Sequence, residues 1–208
     1  MWLFALSVTA LVDDSDRRRV IGNASRLLIG WVMALAALQK AASPSYTNGS
    51  FMEFALLFDQ RFQTPAWWGA GRDLPTLAQN AARLADWVKT SAGLPNAALQ
   101  VSTTGAHLDW LVLALTWGAV AVEGALACAF LIPSDKATVV VRTVMLMVFV
   151  VLTYPLAPVV GFGWVLLVMG FAQVPSGFRR LRVAVLALFV VLPLCVWSPA
   201  KVARHLDA

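Results

Sequence analysis

The chain has 208 residues, of which 60% are hydrophobic and only 13% charged, and its mean hydropathy is +0.74. A soluble domain carries about 25% charged residues, so this composition excludes an ordinary cytosolic enzyme, a disordered chain and a nucleic-acid-binding module, and it points to an integral membrane protein. The formal charge of +5 comes from basic residues at the ends of apolar segments, where they set topology and meet anionic lipid.

Residues 1–12 are apolar but fall short of the roughly 20 residues that cross about 30 Å of hydrocarbon. They have neither the basic start nor the small-residue cleavage site of a secretory signal. A half-inserted or interfacial helix and a thinned sixth span are both open readings. The first full span is expected at 20–42, with Arg26 near its start and Gln39 and Lys40 at its end.

The connection 43–106 is expected to form an outer helical cap. Tyr46-Thr-Asn-Gly-Ser50 is a turn sequence. Phe51 to Phe62 reads as an amphipathic helix with Phe51, Phe54, Ala55 and Phe58 on one face. Asp73 and Pro75 open a second helix over about 75–91, with Leu77, Ala81, Leu84 and Val88 on one stripe. Trp67, Trp68 and Trp87 suit the headgroup level.

The second span is expected at 107–132, interrupted only by Asp109 and Glu123. The apolar run 138–173 is too long for one helix, and Pro155 and Pro158 break it, which predicts helices at 138–154 and 159–174 joined by a tight turn. The last span, 183–198, is stopped by Ser198-Pro199. The fold class is thus all-α: a single-domain polytopic bundle of about five spans, with two amphipathic helices in a long outer loop. This arrangement puts Arg17-Arg18-Arg19, Lys136 and the 175–182 loop with Arg179, Arg180 and Arg182 on one side. By the positive-inside rule that side is cytoplasmic and 43–106 lies outside, as in a bacterial plasma (inner) membrane protein.

Ionisable residues inside or beside spans are functional suspects. Lys40 ends one span while His107 and Asp109 open the next, at the same outer interface, and Glu53 and Asp59 can approach them. A desolvated lysine there can act as a base, with His107 as a second catalytic candidate; the bland alternative is a lysine that snorkels to the headgroups. Deeper, Glu123 needs a partner, and Arg26 and Arg142 reach a similar depth, so these three read as an intramembrane ion pair. Cys128 and Cys195 lie in apolar runs without a pair motif and are expected to be small packing residues. Neither histidine lies deep in a span, so no haem and no metal site are expected.

The stretch Arg26-Leu-Leu-Ile-Gly-Trp31, followed by Ala36-Ala-Leu-Gln-Lys40-Ala-Ala-Ser-Pro-Ser-Tyr46-Thr-Asn-Gly49-Ser-Phe-Met-Glu-Phe54, resembles the vitamin K-dependent γ-carboxylase and its bacterial relatives, the horizontally transferred transmembrane domain (HTTM) family. That family has a helix ending in a lysine pair, a Gly-Ser-like turn and a Met-Glu-aromatic helix. A span with a central acid, here Glu123, and a break leading to Gly161-Phe-Gly-Trp164 follow in the same order over roughly 17–178. The resemblance implies that Lys40 is the base that deprotonates a hydroquinone. The first lysine of the pair is Gln39, the family's Phe-His is Thr153-Tyr154, and the family's peptide-handling region has no counterpart in these residues, so glutamate carboxylation is not implied. A weaker resemblance links the chain to DoxX/DoxD-like membrane proteins, associated with quinone-linked redox complexes. Both resemblances imply a quinone or isoprenoid lipid as the cofactor class.

Three functions compete. One is a small membrane subunit or scaffold whose outer helices dock other membrane-protein subunits in a larger assembly such as a redox complex, with membrane lipids as further partners and no nucleic acid. The second is a quinone- or isoprenoid-handling enzyme with Lys40 as base. The third, a transporter, lacks an inverted repeat.

Overall fold

A computed structural model describes residues 14–62, 66–67, 69, 71, 73–90, 108–133, 136–154 and 160–196. The expectations for 1–12, His107, Trp68, the 155–159 turn and the end of the last span lie outside them. Among the described residues the chain is all-helical. The helices are α1 (Asp14–Ala42), α2 (Pro44–Thr47), α3 (Ser50–Phe58), α4 (Leu74–Thr90), α5 (Leu108–Leu131), α6 (Lys136–Thr153), α7 (Val160–Gln173) and α8 (Arg179–Val196), with a 3-10 turn at Gln60–Phe62.

Two of these helices contain stretches long and apolar enough to cross a membrane, Asp16–Ala42 in α1 and Asp109–Leu131 in α5. The run after Lys136 is divided into α6 and α7, which are apolar but shorter. At 14 residues α7 is about 21 Å long at 1.5 Å per residue, less than a full hydrocarbon thickness.

The chain forms two compact units. In the first, made of the described residues up to Ala36 and from Val122 on, α6, α7 and α8 pack on one another. Ile29 and Met33 from α1, Leu126 and Phe130 from α5, Leu146 and Val150 from α6, Leu166 and Leu167 from α7 and Val185 from α8 share one buried cluster. Buried Tyr154, just after α6, joins it, and its hydroxyl accepts the Gly163 N–H in the first turn of α7. A Cβ at Gly163 would overlap the Tyr154 ring, so this close approach requires glycine.

The helices of this unit carry apolar residues on their exposed faces as well as in their buried cluster. In α6, Val141, Val144, Val148 and Val151 lie at helical spacing on the exposed face, while Arg142 and Thr143 are buried. In α1, Ser25 is buried while Leu27, Trp31 and Leu35 are exposed. Cys128, expected in the packing, is exposed on α5 instead.

The second unit, Ala37–Ala121, is built on α3 packed against α4. Its core gathers Tyr46, Met52, Leu56, Leu57, Phe58, Leu77, Leu111 and Val112. The turn before α3 is closed by Asn48, whose Oδ1 accepts the Ser50 N–H at 2.9 Å, and by Gly49 at φ 86°. That left-handed conformation favours glycine, and a Cβ there would also meet the Val112 side chain at 2.6 Å. Asp73 begins α4 with its carboxylate accepting the Thr76 N–H at 3.2 Å and the Thr76 hydroxyl.

The two predicted apolar faces are each rotated. On α3, Ala55 and Phe58 are buried as expected, but Phe51 and Phe54 are about half exposed while Met52 and Leu56 turn inward. On α4, Leu77 and Asn80 are buried and Trp87 is half-buried, whereas Val88 is exposed. Phe51 gains a partner despite its exposure by stacking on Tyr46, with centroids 5.5 Å apart, and Phe54 does so against Phe58 at 4.9 Å.

Candidate functional site

Lys40 sits in the last turn of α1, in the second unit. Its ammonium lies 5.9 Å from the centroid of Tyr46, an aromatic face that attracts a cation. The α2 turn that carries Tyr46 starts at Ser43, whose N–H donates to the Lys40 carbonyl at 3.2 Å. Sequence order thus fixes the pair: helix end, proline-led turn, aromatic face.

The acidic groups expected around Lys40 are engaged or exposed. Asp59 accepts from Arg61 Nε at 2.9 Å through both carboxylate oxygens, and also from the Arg61 backbone N–H. The Arg61 guanidinium holds the Asp59 carboxyl below the ordinary carboxylate range, and Asp59 in turn raises the Arg61 guanidinium. Glu53 and Asp109 are exposed at the starts of α3 and α5. His107 lies outside the described residues, so no Lys40–His107 pair is described.

In the first unit, Glu123 and Arg142 are both buried, at 8% and 5% exposure. Arg142 rests its guanidinium 5.7 Å from the Phe130 ring centroid. Phe130 lies two helical turns beyond Glu123 on the same face of α5, about 10 Å along the axis. Arg26 directs one guanidinium nitrogen, Nη1, at the carbonyl oxygens of Phe130, Leu131 and Ile132, at 3.3, 3.3 and 3.2 Å. These are the last two carbonyls of α5 and the one just beyond it, at the helix's negative end, so a guanidinium is well matched to them. Of the three residues expected to form an ion pair, Arg26 therefore has a helix-capping task of its own.

Sequence reasoning missed a third place. A cavity of about 640 Å³ in the first unit is lined by Arg18, Arg19, Arg142 and Arg182 together with Gln173 and apolar groups of α7. Arg182 stacks on Phe171, 4.5 Å from its centroid. Gln173 is 9% exposed; its amide nitrogen donates to the Met169 carbonyl at 3.1 Å, and its Oε1 has no hydrogen-bond partner among the described residues. The signal in the sequence is the polar Gln173 ending an otherwise apolar helix, with one arginine run before the first full span and another before the last. No group of three or more potential metal ligands occurs among the described residues.

Comparisons of the chain with protein-family models, with curated proteins and with solved structures found no match.

Proposed function

We propose that the chain is a small polytopic integral membrane protein acting as a subunit or scaffold, with the helices of 43–106 on the outer side as its docking surface for another membrane subunit. The observation that carries the membrane part is the outward face of α6, where a valine stripe is exposed while Arg142 and Thr143 are buried. In water such a stripe is an aggregation surface; in lipid it is the low-energy arrangement, because the polar groups find partners inside.

The docking part is supported by the exposed aromatic groups of this unit, Phe51 and Phe54 on α3 and Trp67, which adjoin in the sequence the polar outer side of α4 with Gln79, Arg83 and Asp86. The HTTM-like and DoxX-like resemblances favour a quinone-linked assembly. Photo-crosslinking in whole cells tests the proposal, with the crosslinker placed at Arg83 or, for comparison, at Val148. The Arg83 probe is expected to give one protein adduct of fixed mass and the Val148 probe lipid adducts. Lipid adducts alone from Arg83, together with a quinone that co-purifies only while Lys40 is intact, would replace the scaffold with the Lys40 enzyme.

A further inference from the structure

We propose that the arginine-lined cavity of the first unit binds the headgroup of an anionic phospholipid that carries a free hydroxyl, as a phosphoglycerol headgroup does. The inference rests on the membrane reading above and deepens it by naming a specific lipid site. About 640 Å³ falls within the size range of small-molecule sites, about 300–1,000 Å³. Four arginines line it, and among the described residues its lining includes no carboxylate.

Each group has a task in such a complex. Phosphate oxygens accept from guanidinium N–H groups, and a planar guanidinium can present two donors to one phosphate. Arg182 is oriented by its stacking on Phe171, so its fork is held rather than free to wander. Arg142 brings a guanidinium from the buried side, whereas Arg18 and Arg19 are exposed at the rim.

Arginine at the end of α7 also suits that helix's carbonyl end, which alone would explain one basic residue. It does not explain Gln173. A buried Oε1 without a partner is costly, and being an acceptor it calls for a donor on the ligand. A phosphate diester has none, so the donor is a hydroxyl on the same headgroup. The apolar part of the lining, Phe171, Val174 and Ile21 among it, matches the glycerol and acyl region of a lipid more closely than a fully hydrated ion.

The test uses the full chain purified in mild detergent and reads lipid retention by native mass spectrometry. Phosphatidylglycerol is offered against phosphatidylcholine, with glycerol 3-phosphate as a soluble competitor. Phosphatidylglycerol is expected to be retained at least about tenfold over phosphatidylcholine, and the R18Q/R19Q/R182Q variant is expected to lose that preference. Gln173→Met is expected to keep anionic-lipid binding while losing the preference for phosphatidylglycerol over phosphatidic acid methyl ester, which lacks the hydroxyl.

Equal retention of the neutral and anionic lipids, or an unchanged preference in the triple variant, overturns the site. Displacement by millimolar glycerol 3-phosphate overturns the lipid as its occupant in favour of a soluble phosphate ester. Alkaline extraction of cell membranes separates the two levels: release of the chain into the soluble fraction defeats the membrane reading, whereas a chain that stays in the membrane without lipid preference defeats only this site.

Discussion

Arg26 holds the last two carbonyls of α5 and the one just beyond it, and its replacement has a sharper consequence than the loss of a surface charge. In Arg26→Leu the last turn of α5 loses its donor and the compensation of its negative end, a loss of about 2 kcal/mol for hydrogen bonds to a charged group. Arg26→Lys keeps the charge on a shorter side chain, and should fall between the parent and Arg26→Leu. Thermal unfolding in detergent, followed by helical circular dichroism, ranks the three. The Asp59–Arg61 pair behaves differently because it is largely in solvent. Its Asp59 carboxyl is held below the ordinary range, so its stabilisation is present above about pH 4 and is lost as the pH falls through the lower folded-state value. Solvent screening limits the pair to about 1 kcal/mol or less. Asp59→Asn is expected to lower stability slightly at pH 7 and to match the parent at the acid end of the same unfolding series.

At the scale of elements, the α6–α7 junction has one close contact, of Tyr154 with Gly163, that single substitutions can probe beside the shared cluster. Gly163→Ala puts a methyl group into the Tyr154 ring, and the buried neighbours leave it little room to move. Overpacking of this kind costs about 1–3 kcal/mol. Tyr154→Phe removes only the hydroxyl that accepts the Gly163 N–H and should cost less, about 1 kcal/mol. The double variant distinguishes the two effects, since the Ala clash persists with phenylalanine; unfolding midpoints in detergent give the cycle. The break itself was legible, because Pro155 and Pro158 announce it, and Gly161 and Gly163 stand where the next helix begins. Helix faces were less so. On α3 every residue from Phe54 to Phe58 is apolar, so periodicity alone cannot choose between Phe54 and Leu56 for the interior. Tyr46 and the Asn48-Gly49 turn set the choice, by fixing how α3 enters the unit. On α4 the inward side contains Asn80, a polar residue that a hydrophobic count rejects. The cavity was legible only in parts: Arg18, Gln173 and Arg182 are far apart in the chain, and nothing in their spacing says that they meet.

For the molecule as a whole, the positive clusters constrain the topology more firmly than the number of spans does. If α1 and α5 each cross, the chain returns before Lys136 to the side from which it left. The α6–α7 hairpin then regains that side whether it crosses or only dips in, so Arg179 and Arg180 rejoin Arg17–Arg19 in either case. The length of α7 leaves both possibilities physical, since a short helix can be met by local thinning of the bilayer or can belong to a re-entrant pair buried in protein. Single cysteines in a chain with Cys128 and Cys195 replaced by alanine separate them, using a membrane-impermeant maleimide on intact cells. Gln79→Cys on α4 should label at once, and Gly177→Cys, between α7 and α8, only after lysis. Both positions are exposed, so protection reports the membrane rather than protein packing. Gly161→Cys, at an exposed position with open space around its Cα in the first turn of α7, decides the rest. Labelling from outside makes α6 and α7 true spans and gives the five-span bundle; protection until lysis makes them a re-entrant pair and leaves α1, α5 and α8 to cross. A label on Gly177→Cys before lysis would reverse the positive clusters and remove the cytoplasmic assignment altogether.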